Sequence, residues 1–408
     1  MSTLGLATSS PPTQQEPPNH NVRVYLHTHI AWNSIRPAIS TNIGKSDVII
    51  VGGGIVGLSV AYYLSEKTEG KITVVERSQP ASQASKGNAG AISYFGILPN
   101  RLVLKPLIDL SLKLFEQLSR RVKFDFEKSR SILVPQTSER DSVHRLAKTY
   151  SDVGVAAQVV ENTELREISP LLDPNINSAV LFPEEARGNS AKLCKGLVRK
   201  LVERGHNVLR DTAATGFEVK NSTVAAVKTD NGRIRVKCAV VLAAGPWCRS
   251  LGEAAGLRIP IEPAKGHMVS FYAVPQRLGP TVIEKDIVVV QSNDGRIRSG
   301  GFVDMVGFDD KPDTTRIRSV LEQTFNLLPV LHSCRITEEW VGLRPRTPDD
   351  LPILGKSPSI RNLFVATGHF KKGFCLSQAT GLLMSEIITG QKPSLSLEAF
   401  CPDRFNGH

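Results

Sequence analysis

A short β-branched run, Asp47-Val-Ile-Ile-Val51, passes directly into Gly52-Gly53-Gly54-Ile55-Val56-Gly57 and constrains this chain more than any other feature. Such a run reads as a buried parallel strand. The apolar residues Ile55, Val56, Leu58, Val60, Ala61 and Leu64 then recur at helical spacing, and residues 71–76 read as a second strand. The result is a β-α-β unit with glycines at the turn from strand to helix. In the G-x-G-x-x-G spacing, Gly52 permits the tight turn, Gly54 lets the backbone approach a pyrophosphate, and Gly57 allows close packing of helix on strand. The helix N-terminus, opened by Ile55 and Val56, offers N–H groups to the diphosphate. Glu76 ends the second strand, where a carboxylate hydrogen-bonds ribose hydroxyls and disfavours a 2'-phosphate; Arg77 beside it joins the expected cofactor contacts.

FAD is expected rather than NAD. Residues 82–91 follow the acidic strand at once, and their small residues with Ser85, Asn88, Ala89 and Gly90 can wrap a pyrophosphate and a flavin. Far downstream, Val240-Val-Leu-Ala-Ala-Gly-Pro-Trp247 is a strand that ends in a small-residue turn, so Ala244, Gly245 and Trp247, with Ala214 ahead of them, are further expected contacts.

The rest of the chain reads as helices over 102–118, 139–153, 193–205, 314–328 and 376–389, and as strands over 223–229, 234–244, 268–273, 287–290 and 363–366. Nucleotide-binding signals near both ends imply a discontinuous chain. The expected fold class is α/β, a Rossmann-like FAD-binding domain with a second sheet interleaved in the chain as a substrate domain. The FAD-binding domain is expected over 47–96, 155–265 and 341–408, and the substrate domain over 97–154 and 266–340.

Net charge is +11, yet Lys and Arg are spread along the 408 residues rather than blocked, so nucleic acid is not an expected partner. The basic surface is compatible with peripheral membrane contact. The six cysteines lack CxxC pairing and a His companion at metal spacing, which points to a reducing, intracellular compartment and to no metal. Residues 1–46 hold Pro11, Pro12, Pro17 and Pro18, and their only acid is Glu16. They read either as a disordered tail or as a mitochondrial or plastid targeting peptide; without targeting the protein would be cytoplasmic.

Several further segments carry a family resemblance: Ser85-Lys-Gly-Asn-Ala-Gly-Ala-Ile-Ser93, Lys265-Gly266, Gly295-Arg-Ile-Arg-Ser-Gly-Gly301 with Val306-Gly-Phe-Asp309, Gly342-Leu-Arg-Pro-Arg-Thr-Pro-Asp349, and Thr367-Gly-His369. From about Ser46 to Phe405 the chain resembles the D-amino-acid oxidase superfamily of FAD enzymes, and most of all its bacterial D-amino-acid dehydrogenases. The resemblance implies that the substrate domain is α+β on an antiparallel sheet, and that a small amino acid with a neutral amine passes its α-hydrogen as hydride to flavin N5, leaving an imine. The imine hydrolyses to a 2-oxo acid and ammonia, and the electrons pass to O2 or a quinone. Secondary amines such as sarcosine or proline, glycine, and 2-hydroxy acids are alternative substrates on the same scaffold, and a non-catalytic flavoprotein is an alternative of another class.

The same resemblance places Arg344 over the flavin to grip the substrate carboxylate in two parallel hydrogen bonds. Pairing of Arg344 with Asp349 or Asp350 is its structural alternative. Where sarcosine oxidases carry a flavin-linking cysteine the chain has Gly342, which implies non-covalent FAD. Gly368 and His369, with Lys372, Gly373 and Phe374, are implied to face the flavin, His369 with a catalytic role. Lys371 and Lys372 depart from the dehydrogenase pattern, and glycine oxidases carry a basic residue near there. Residues 287–290 are apolar where glycine oxidases place a substrate-facing tyrosine. His267 is expected either beside the flavin or in the core, and Cys375 occupies the place of a carboxylate-binding lysine.

Overall fold

The computed structural model describes residues 44–98, 100–135, 140–272 and 276–405. The expectation of a tail or targeting peptide therefore lies almost wholly outside the described residues. Among these, no helix is long and apolar enough to cross a membrane.

The strand Lys45–Val51 sits inside an 8-stranded sheet. It pairs in parallel with Ile72–Val75 on one side and Gly232–Leu242 on the other, and Leu363–Thr367 extends the sheet in parallel beyond the latter. The central strands are buried on both faces, which explains their uninterrupted apolar sequence. The helix Ile55–Leu64 is buried almost all round, packed between this sheet and the final helix Gly373–Ile388. That final helix is longer at its start than its apolar pattern suggested, beginning at Gly373 rather than near residue 376.

A 9-stranded sheet forms the other layer. It runs in the order Ile336–Arg346, Glu262–Phe271, Ile297–Asp304, Ile287–Gln291, Thr281–Glu284, Glu127–Leu133, Ser178–Arg187, Ala91–Ile92. Its pairs are antiparallel except where Thr281–Glu284 meets Glu127–Leu133 in parallel. Its apolar face packs under the helix Thr314–Leu327 through Val269, Phe271, Val289, Ile297, Ile317 and Val320.

The sheets divide the sequence differently from the expected boundaries. Residues 155–265 were expected whole in the nucleotide half, yet Gln158–Glu161 and Ser178–Arg187 pair within the second sheet. The strand Ile336–Arg346, whose later half was expected in the first domain, lies at the edge of the second sheet against Glu262–Phe271. Chain connectivity gives no sign of either pairing, because a strand's alternation marks its faces and not its neighbours.

Candidate active site

One cavity of about 740 Å³ runs from the glycine turn of the first sheet to the inner strands of the second. At its nucleotide end Gly52 has φ +115°, and a Cβ there would overlap the carbonyl of Ala243. Gly57 does not line the cavity; a side chain on it would strike Gly52 O, so its role is helix-to-strand packing. At Gly54 a Cβ would meet only Ser85 Oγ, at 3.4 Å, and the backbone faces the cavity. Ser85 Oγ accepts a hydrogen bond from Ile55 N at 3.0 Å and so caps the helix.

The Glu76 carboxylate is fixed by two backbone donors, Gly53 N at 2.8 Å and Ser78 N at 3.0 Å. Burial nevertheless raises its pKa, outweighing those bonds. Arg77 lies 3.5 Å above the ring of Trp247, which in turn sits 5.5 Å from Phe308. Two separate segments thus meet at this end of the cavity, joined by a cation–π contact. Val56, Asn88, Ala89, Ala214, Ala244 and Gly245 also line it.

At the other end the lining comes from both sheets and from the turn before the final helix. Arg344 lies there, and burial lowers its pKa to about 10 while Asp286 and Asp304 act in the opposite direction. Its Nη1 donates to Phe302 O at 2.8 Å. The structural alternative for this arginine fails, because Asp349 pairs with Arg404 and Asp350 with Arg346, each at 2.8 Å. Gly342 sits against the indole of Trp340, which also covers Gly87; a Cβ at either glycine would overlap the ring.

The final turn supplies Phe370, Lys371, Lys372, Gly373 and Phe374. Lys372 Nζ donates to Ser93 O at 2.7 Å, and Lys371 Nζ meets Asp286 Oδ1 at 3.1 Å. His369 is 3 % exposed, and its Nε2 shares a hydrogen bond of 2.9 Å with Thr380 Oγ1. Burial holds its pKa down at about 3, so the ring is neutral near pH 7. His369 lines the cavity as a neutral imidazole tied through Nε2 to the final helix.

His267 lines the cavity, accepts from Asp313 N at 3.2 Å, and has its pKa lowered, chiefly by burial. Lys265 turns away to Asp309 at 2.9 Å, which joins two of the recognised segments. Cys375 is buried, 3.7 Å from Ser93 O, and burial raises its thiol pKa. Within 287–290, Val288 lines the cavity while Ile287, Val289 and Val290 are buried.

Two more expected contacts fall outside the cavity. Gly90 (φ +108°) packs on Gly188 O, and Gly368 (φ +76°) packs on Thr347, so both are turn residues that shape the wall from behind. Sequence reading missed Ser93, Arg101, Asp286, Gly300 and Trp340. Ser93 and Gly300 stood in quoted motifs without being singled out, and no short-range signal marks the others, which reach the cavity through tertiary folding.

A glycine turn at the carboxyl end of parallel strands, facing a second, antiparallel sheet across an elongated cavity, defines a dinucleotide-dependent enzyme of the two-sheet class. The chain belongs to the DAO family of FAD-dependent oxidoreductases, whose pattern matches residues 47–387. It is 26 % identical to the glycine oxidase of Pseudomonas putida over 373 residues, which cover 88 % of this chain and 99 % of that one. The structure of glycine oxidase from Geobacillus kaustophilus superposes with a TM-score of 0.83 at 26 % identity, covering 88 % of this chain and 99 % of that one. L-proline dehydrogenase from P. horikoshii superposes with a TM-score of 0.82 at 26 % identity, covering 90 % and 99 %. The cofactor is FAD, and the glycine-lined channel from Glu76 to Arg344 fits it: Gly54 leaves open the space that a side chain would enter.

Proposed function

We propose that the enzyme oxidises the amine of a small amino acid whose carboxylate is held by Arg344, with a D-amino acid as the expected form. The observation that carries this reading is the Arg344 guanidinium in the cavity wall, whose hydrogen bond to a protein acceptor runs to Phe302 O. Its remaining N–H donors form a planar fork matched to a carboxylate. Val288 is smaller than a tyrosine, which leaves room for a substrate side chain and favours a substrate larger than glycine.

When bound, FAD supplies the hydride acceptor; the chain supplies orientation and electrostatics. Gly52, Gly54, Ile55, Val56 and Ser85 form the pyrophosphate cradle, and Glu76 the ribose contact. Arg77, Ala214, Ala244, Gly245 and Trp247 enclose the adenosine end; Asn88, Ala89, Gly342, Lys372, Gly373 and Phe374 surround the flavin. Gly342 carries no nucleophile, so the cofactor is held without a covalent bond at this position. Electrons leave to O2 or to a quinone, the latter with the basic surface against a membrane.

The test is anaerobic bleaching of the purified yellow protein by D-amino acids, L-amino acids, glycine, sarcosine, proline and 2-hydroxy acids. Reduction by D-amino acids faster than by the others supports the full reading. Fastest reduction by sarcosine or proline assigns the site to secondary amines, in keeping with the similarity to L-proline dehydrogenase. Reduction by hydroxy acids alone would overturn amine oxidation. Reoxidation by air against a quinone analogue then identifies the acceptor.

A further inference from the structure

The Arg344 end of the cavity holds more positive charge than one carboxylate needs. Arg101, Lys285, Arg344 and Lys371 all line it; among the described residues Asp286 is the one lining carboxylate there, and Asp304, which also acts on Arg344, is paired with Arg316 at 2.6 Å. His267 and His369 add no charge near neutrality, since burial lowers both. Asp350, which lies behind Arg101 at 3.8 Å, is shared with Arg346 at 2.8 Å and cannot fully offset either.

Lys371 and Arg344 act on each other across this space. The Lys371 pKa falls below its usual range, first through burial and then through the charge of Arg344. Asp286 is the counter-ion common to both cations. An ammonium has three donors, and the bond to Asp286 occupies one of them.

The backbone holds Lys371 there at a cost. Phe370, just before it, takes φ +48°, a left-handed conformation that bulky residues seldom adopt, and it is buried beneath Arg346. That turn presents Lys371 to the cavity beside Asp286 while Lys372 turns to Ser93 O. Val288 lines the same cavity.

We infer that the substrate carries a second carboxylate, seated against Lys371: a dicarboxylic amino or imino acid with one carboxylate on Arg344 and the other on Lys371. This rests on the amino-acid reading above and narrows its substrate class. Charge complementarity here works as selection, because a monocarboxylic substrate on Arg344 leaves Asp286 as the one lining carboxylate for Lys371, Arg101 and Lys285.

The experiment uses the FAD-loaded enzyme and two measurements. Kinetics compare D- and L-aspartate, D- and L-glutamate and iminodiacetate with glycine, alanine and sarcosine. Binding of the unreactive acids succinate and malonate is compared with that of acetate and propionate, through perturbation of the flavin absorbance. Expected are a kcat/KM and an affinity at least about tenfold higher for the dicarboxylates, with Lys371→Met reducing that ratio towards one and Lys371→Glu reversing it.

Equal or better handling of monocarboxylates by the wild type would overturn this inference and leave amino-acid oxidation standing. The same follows if Lys371→Met weakens both classes by one factor, since Lys371 would then serve the carboxylate on Arg344. Failure of every amino and imino acid to reduce the flavin, with no spectral response to succinate, removes both readings together. The wild-type comparison decides the matter even where a variant fails to retain FAD.

Discussion

The guanidinium of Arg344 lies directly across Gly266 on the neighbouring strand, so close that a Cβ on Gly266 would overlap Nη1, Cζ and Nη2. The two strands pair with Gly266 opposite Gly342 and Ala264 opposite Arg344, so the arginine side chain runs along the sheet to reach its position. The Lys265-Gly266 segment is therefore the floor on which the Arg344 guanidinium rests.

Gly266→Ala should act as a displaced arginine. The added methyl forces the guanidinium off its place, and overpacking of this kind costs about 1–3 kcal/mol. Arg344→Met should raise KM for carboxylate substrates on the order of a hundredfold, the loss of a charge-assisted pair worth about 3 kcal/mol. Both variants should keep the yellow colour, since neither touches the glycine turn. Steady-state kinetics beside the FAD-to-protein absorbance ratio measure this; wild-type KM in Arg344→Met with flavin retained would remove Arg344 from substrate binding.

The Arg77–Trp247 contact predicts a separable effect on cofactor affinity. Trp247→Ala removes one face of a partly buried cation–π pair worth about 0.5–2 kcal/mol and opens the adenosine end to water. FAD dissociation should quicken by about tenfold while the substrate KM of the loaded enzyme stays within about twofold. Stopped-flow release of flavin fluorescence measures the first and saturating-FAD kinetics the second.

His369 predicts an acid-labile fold. Its pKa falls from 6.5 in the unfolded chain to about 3 when buried, so between those values the unfolded chain takes up a proton that the native one refuses. The contribution to stability is complete above pH 6.5 and is lost as pH falls from there towards 3, on the order of a few kcal/mol in all. His369→Gln, which keeps a hydrogen-bonding group for Thr380, should flatten the dependence over that window. Urea unfolding at pH 7.5, 5.5 and 4 compares the two; equal slopes would show that His369 does not set the acid limit.

Local chemistry made the first half of the site legible. Gly52, with φ +115°, and Gly57, packed against Gly52 O, each answer a steric demand within a few residues, and Glu76 comes directly after the next strand, so the β-α-β unit could be placed almost to the residue. Charged and polar strands were harder to see. Glu127–Leu133 alternates half-buried and exposed over its first half before a fully buried end, and Ser178–Arg187 carries Pro183 and two glutamates, yet both are central to the second sheet's far side. The quoted glycines divide by function only in three dimensions: Gly52 and Gly54 face the cavity, whereas Gly57, Gly90 and Gly368 serve packing.

The amino-acid sequence by itself determined that a dinucleotide binds here, because a tight strand-to-helix turn needs glycine whatever surrounds it. It also marked Arg344, through a motif that travels with the flavin scaffold. Tertiary structure decided what that arginine faces. Residues 286–288, Lys371 and the strand that carries both Trp340 and Arg344 come from separate segments and meet only when the second sheet pairs and the final turn folds against it. Charge and shape at such a site depend on distances through space, which a linear order does not contain.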